Sequence, residues 1–153
     1  MARWFLEGLR QVTNLTAIEY FNQARLLDVE INTLIEEAQS IRDMATKVTS
    51  VMTDMPGSPL KNNDGYEETL VKLADYNREI NSKIDNLVDL KHSMIEIINQ
   101  LPKMEHRIVL VKRYLFNKCW EQIAVDMGYE KRQVQRFHDN AIRIINKTCH
   151  TMS

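Results

Sequence analysis

Apolar residues recur at every third or fourth position from Ala17 onward, through Tyr20, Ala24, Leu27, Ile31, Leu34, Ala38, Ile41, Ala45, Val48 and Met52. This series keeps one side of a helix apolar over about five heptads, which predicts a coiled-coil seam on a helix of roughly 50 Å at 1.5 Å per residue. Thr16 and Glu19 have the spacing of a capping box, so the helix is expected to begin there. A second seam follows: Tyr66, Leu70, Leu73, Asn77, Ile80, Ile84, Leu87, Lys91, Met94, Ile98 and Leu101. Asp64 and Glu67 repeat the capping spacing at its start. Asn77 and Lys91 are its polar members, which either fix register or oligomeric state or sit at the seam's edge with their stems along it.

Thr53 to Gly65 separates the two seams and holds two of the three prolines and two of the four glycines, the composition of an exposed connection. Two helices of similar length joined by one loop most simply return as an antiparallel hairpin. That pairing leaves Ile18, Phe21, Ile35, Val88, Ile95 and Ile97 uncovered. The expectation is self-association through the hairpin, or cover from Met1 to Leu15, a short amphipathic stretch with Trp4, Phe5, Leu6, Leu9 and Val12.

Pro102 breaks the second helix and suits the first turn of another. Met104 to Phe116 then places Ile108, Val111 and Leu115 on a core-facing side, and Asn117 tolerates the left-handed conformation that ends a helix. Trp120 to Asp139 (WEQIAVDMGYEKRQVQRFHD) has the spacing of a helix-turn-helix. Ala124 is small where two helices would cross, and Gly128, four residues on, accepts φ > 0. Beyond the turn Val134, Phe137, Ala141 and Ile145 can pack on Ile123, Met127 and Tyr129, while Arg132, Arg136, Asp139 and Arg143 face the other way. The fold expected is all-α, with an N-terminal segment and coiled-coil hairpin over residues 1–101 and a helix-turn-helix domain over residues 102–153.

A helix with one buried side and a basic outer side fits the major groove, where its first turns meet base edges. Lys131, Arg132, Gln133, Gln135 and Arg136 are the candidate base readers on helix 131–146, since Arg forks onto guanine and Gln pairs with adenine. Lys112, Arg113, Lys118 and Arg143 are the candidate phosphate contacts. Charge agrees with this division. Pro102 to Ser153 carries ten Lys and Arg against five Asp and Glu, whereas the rest carries ten against sixteen, so only the C-terminal third suits a phosphate backbone.

Other chemistries find little support. Cys119 and Cys149 form no framework, and the histidines at 92, 106, 138 and 150 have no ligand spacing, so no metal or cofactor is expected. A Gly-rich phosphate loop and a nucleophile beside a base are missing, which argues against an enzyme. No apolar run approaches the roughly 20 residues that span a bilayer, and no membrane partner is expected.

Met104 to Ile145 resembles region four of bacterial sigma factors. The likeness is carried by Arg113-Tyr114, Trp120 and Glu121 at the scaffold helix, Gly128 at the turn, and Val134, Phe137 and Ala141-Ile142-Arg143 beyond it. With the two long helices and the loop between them, Thr16 to Ile145 looks like the small ArpU/RinA-type late transcription regulators of phages of Gram-positive bacteria. The resemblance implies a sequence-specific regulator acting on double-stranded DNA in the bacterial host cytoplasm, as a homo-oligomer, with RNA polymerase a candidate partner. It also places promoter reading on Lys131, Arg132, Gln133, Gln135 and Arg136. Two departures stand out: Cys119 and Glu130 occupy the capping positions where such proteins carry Ser or Thr. The alternatives are a DNA-packaging component akin to small terminase subunits, which usually place the DNA-binding head first, and a coiled-coil interaction protein whose head does not bind DNA.

Overall fold

The computed structural model describes residues 16–53 and 63–151, and these are helical with short connections. Residues 1–15 and most of the predicted loop, 54–62, lie outside the described residues, so the expected N-terminal helix and exposed connection are not placed. Five helices follow in order: α1 (Ala17–Thr53), α2 (Asn63–Asn99), α3 (Met104–Leu110), α4 (Trp120–Met127) and α5 (Lys131–Thr151). Among the described residues no helix is long and apolar enough to cross a membrane.

The capping box predicted for α1 is formed. Glu19 Oε2 accepts from the Thr16 backbone N–H at 2.8 Å and the Glu19 N–H reaches Thr16 Oγ1 at 3.3 Å. Hydrogen bonds from the Thr16 backbone N–H and hydroxyl to this carboxylate hold the Glu19 carboxyl below its usual range. α2 starts at Asn63, inside the stretch expected to be loop. Its other end tightens, with Gln100 N–H on Ile97 O and Leu101 N–H on Ile98 O, before Pro102. α3 then begins two residues past that proline, with Lys103 as its N-cap.

The contacts divide the chain into two compact units, one holding the residues up to Leu27 and from Asn86 onward, the other Asp28–Asp85. In the second unit Ile31, Ala38, Leu73 and Ile80 are buried. Lys83 Nζ lies 2.8 Å from Glu30 Oε1, and the negative charge of Glu37 raises the pKa of Tyr76. Later residues of α1 thus meet earlier residues of α2. The seam on α1 follows the predicted positions throughout its described side chains. On α2 it differs, because Tyr66, Leu70, Asn77 and Ile84 are exposed, with Tyr76 and Lys83 half-buried in place of the last two.

The first unit is the larger. Its core takes in Tyr20, Phe21, Met94, Ile98, Val109, Leu110, Ile123 and Val134, all of them fully buried. The start of α1 and the end of α2 belong to this unit together with the C-terminal helices. Phe21 stacks on Tyr114 with ring centroids 5.2 Å apart, and the Ala17 N–H donates to Asn146 Oδ1 at 3.0 Å. Of the side residues expected to lack cover, Phe21 and Ile97 are buried, while Ile18, Ile35, Val88 and Ile95 are exposed.

After Leu110 the helix widens into a π turn over Val111–Leu115. Phe116 N–H reaches back to Val111 O, and Lys118 N–H to Lys112 O. Such a turn takes one extra residue and so rotates everything after it. The buried side is His106, Val109, Leu110 and Tyr114, in place of the predicted Ile108, Val111 and Leu115, which lie on the other side of the helix and are half-buried; the wide turn accounts for Tyr114, which it brings round to the side of His106 and Leu110. Asn117 then adopts φ 54°, the left-handed exit expected of it.

Truncating Phe21 removes a fully buried ring from this core. Phe21→Ala is expected to cost about 3–5 kcal/mol, read as a lower midpoint in chemical denaturation followed through Trp120. An unchanged midpoint would separate the start of α1 from the folding of the C-terminal region.

Candidate nucleic-acid interface

The turn between α4 and α5 is set by Gly128. It sits at φ 69°, its N–H bonds to Val125 O, and the Tyr129 N–H reaches back to Ala124 O at 3.1 Å. This pair of bonds closes the last carbonyls of α4 in a Schellman arrangement. A Cβ at Gly128 would meet no heavy atom within 4 Å, so the requirement for glycine comes from the backbone angle alone. Cys119 caps the other end of α4 without a side-chain hydrogen bond, as its poor capping chemistry leads one to expect. At α5 the Glu130 carbonyl accepts the Gln133 and Val134 N–H groups.

α5 divides as the pattern requires. Val134, Ala141 and Ile145 are buried, and Phe137 packs edge-on against Tyr129 at 5.1 Å. Arg132, Arg136, Asp139 and Arg143 are exposed, and Gln133 and Gln135 are half-buried. The buried side is broader than read from the sequence because it includes His138, Ile142 and Cys149. His138 stands four residues after Val134 and three before Ala141, a spacing that marks it as inward-facing.

His138 joins a continuous set of contacts. Its Nε2 lies 2.8 Å from Tyr114 Oη and its Nδ1 3.1 Å from Asp139 Oδ1. A carboxylate only accepts, so Nδ1 carries a proton, and in the neutral ring Nε2 accepts from the tyrosine. Burial raises the pKa of Tyr114, which keeps its hydroxyl a donor. Trp120 meets His138 edge-on, and the Arg113 guanidinium lies 4.6 Å above the Trp120 ring.

The predicted cations separate into two groups. Lys112 and Lys118 both donate to Asp126 Oδ2, at 2.8 and 2.6 Å. Hydrogen bonds from these two lysines hold the Asp126 carboxyl down to about 2. Lys131 pairs with Glu121, whose carboxyl it likewise holds down to about 2. Arg113, besides resting on Trp120, donates to the Lys118 carbonyl at 3.0 Å. Arg143 reaches Asn140 only at 3.5 Å. Arg132 and Arg136 are exposed and make no ion pair with the described residues. The sequence reading missed Glu121 and Asp126, whose partners lie 8 to 14 residues away with no periodic rule to announce them.

Two further groups bear on chemistry. Cys119 is exposed and Cys149 buried, with burial raising the Cys149 thiol's pKa. Among the described residues no group of three His, Cys, Asp or Glu side chains is arranged to hold a metal ion. Comparison with protein-family models, with curated proteins and with solved structures returns no match.

The turn and the buried histidine each yield a test. Gly128→Ala puts a Cβ into a left-handed residue and is expected to cost about 1 kcal/mol, with Gly128→Asn milder, both measured by thermal unfolding. His106 is buried against Phe137 with no partner for Nδ1 among the described residues; its pKa is lowered by burial and by Lys103, against an opposing pull from Glu105. A lowered folded pKa means that the unfolded chain takes up the proton first as pH falls. Stability is therefore expected to drop as pH falls from about 7.5 through the unfolded value near 6.5 and on toward the folded one. The drop should be smaller in His106→Leu, and equal slopes in the two proteins would rule it out.

Proposed function

We propose that this chain is a sequence-specific regulator of transcription that binds double-stranded DNA, reading the major groove with the first turns of α5. The observation that carries this reading is the pair Arg132 and Arg136, one helical turn apart, exposed and without ion pairs to the described residues, on the side of α5 opposite its buried face. In this reading α4 and α5 form a helix-turn-helix that Gly128 turns, and Gln133, Gln135 and Lys131 stand beside the arginines as base readers. Arg143 touches phosphate, and Lys112, Arg113 and Lys118 border the same head. The likeness to phage late regulators agrees with it and makes RNA polymerase a candidate partner in a bacterial host.

α1 and α2 are read as an antiparallel hairpin, supported by the pairing of Glu30 with Lys83. Exposed apolar residues on the hairpin, among them Ile35, Val71 and Ile84, favour association with a second copy, which would set the spacing of two heads on DNA. One observation favours a second reading, a coiled-coil interaction protein whose head does not bind DNA. Lys112, Lys118 and Lys131 are already neutralised by the protein's own carboxylates.

Selection of bound duplexes from a random pool at fixed salt separates the two. Recovery of one motif is expected. Arg132→Ala or Arg136→Ala should weaken binding to that motif by about 1–3 kcal/mol, the worth of a bidentate contact to guanine, with preference relaxed at one position each. Binding that is indifferent to both substitutions would leave the interaction-protein reading.

A further inference from the structure

Lys112 and Lys118 approach from different segments, the π turn and the residue before Cys119, yet their Nζ atoms converge on a single oxygen, Asp126 Oδ2. Two ammonium groups within 3 Å of one point form the arrangement that a phosphodiester oxygen would need, and here the protein's own carboxylate fills that point. The three side chains are only a quarter to somewhat over a third exposed, so water screens the contact less than it screens the more open Lys131–Glu121 pair.

We infer that Asp126 withholds Lys112 and Lys118 from the phosphate backbone, so that a latent two-lysine phosphodiester site on the head stays closed and indiscriminate binding to duplex DNA is kept weak. The inference rests on the DNA-binding reading above. Its logic is competition within one molecule. A tethered carboxylate in contact with both lysines opposes every phosphate equally, whatever the sequence, whereas Arg132 and Arg136 meet no such competitor among the described residues. The loss falls on sequence-independent attraction and leaves base contacts intact, which raises the ratio of specific to non-specific binding. With its pKa near 2, Asp126 keeps its charge throughout the neutral and mildly acidic range, so pH alone does not open the site.

The test uses the full chain and a duplex of random sequence, with binding measured across a series of salt concentrations. Asp126→Asn is expected to bind this duplex at least tenfold more tightly at low salt. Its log affinity should fall more steeply with log salt by about 1 to 2, the increment for one or two newly engaged phosphates. Adding Lys112→Gln and Lys118→Gln to Asp126→Asn should return the slope to its starting value. Glu130→Gln removes an equal charge from an exposed position without releasing a lysine, and should steepen the slope by less. Asp126→Ala serves as the second variant, and thermal unfolding checks that each protein is folded.

An unchanged slope in both Asp126 variants, or an equal change in Glu130→Gln, overturns the inference. If the wild type binds the selected motif through Arg132 and Arg136 while Asp126→Asn gains nothing, the inference alone fails. If neither protein binds any duplex, the DNA-binding reading fails with it.

Discussion

The hydrogen bond between Tyr114 and His138 is the contact on which the larger unit depends, because four segments meet around it. Tyr114 comes from the π turn and His138 from α5; Phe21 of α1 stacks on the tyrosine and Trp120 of α4 meets the histidine edge-on. Each of these polar groups is buried, so each requires a partner, and the geometry supplies one. Without the wide turn the tyrosine would rotate away from α5, and a regular helix would present Arg113 on the side of His106 and Leu110. The irregular winding is thus the condition for closing the core with a satisfied polar pair.

The same constraint orders the surface. Arg113 immediately precedes Tyr114, and its guanidinium is drawn over Trp120 and onto the Lys118 carbonyl, which commits it to structure. Lys112, one residue earlier, meets Asp126 of α4. Basic residues that appear interchangeable in a count of charges therefore have unlike roles. The arginines on the outer side of α5 stay available, and the lysines around α4 are bound to carboxylates.

Much of this was legible in the sequence. The apolar series on α1 marks the covered side from Ala17 to Ala45, and the division of α5 into buried Val134, Ala141, Ile145 and exposed Arg132, Arg136, Arg143 follows from helical spacing alone. Gly128 and Asn117 were readable because few residues tolerate φ > 0. The seam of α2 was harder. Residues three and four places beyond Leu73 are both near the apolar edge, and which of Tyr76 and Asn77 is covered depends on where the partner helix lies. The face of residues 104–116 was ambiguous because Ile108, Val111 and Leu115 recur at helical spacing opposite His106 and Leu110, and the inward turn of Tyr114 depends on an added residue that leaves no periodic trace. Glu121 and Asp126 could not be assigned to their lysines, since such pairings are made by the tertiary fold.

The two thiols occupy unequal environments. Cys119 stands open at the head of α4 beside the lysine pair, whereas Cys149 is closed within α5 and is less readily ionised. A maleimide dye added to the folded protein would therefore attach at one position without any cysteine having to be removed. That places a fluorescent reporter next to Lys118, in the native sequence, and makes the second label a clock for opening of the core.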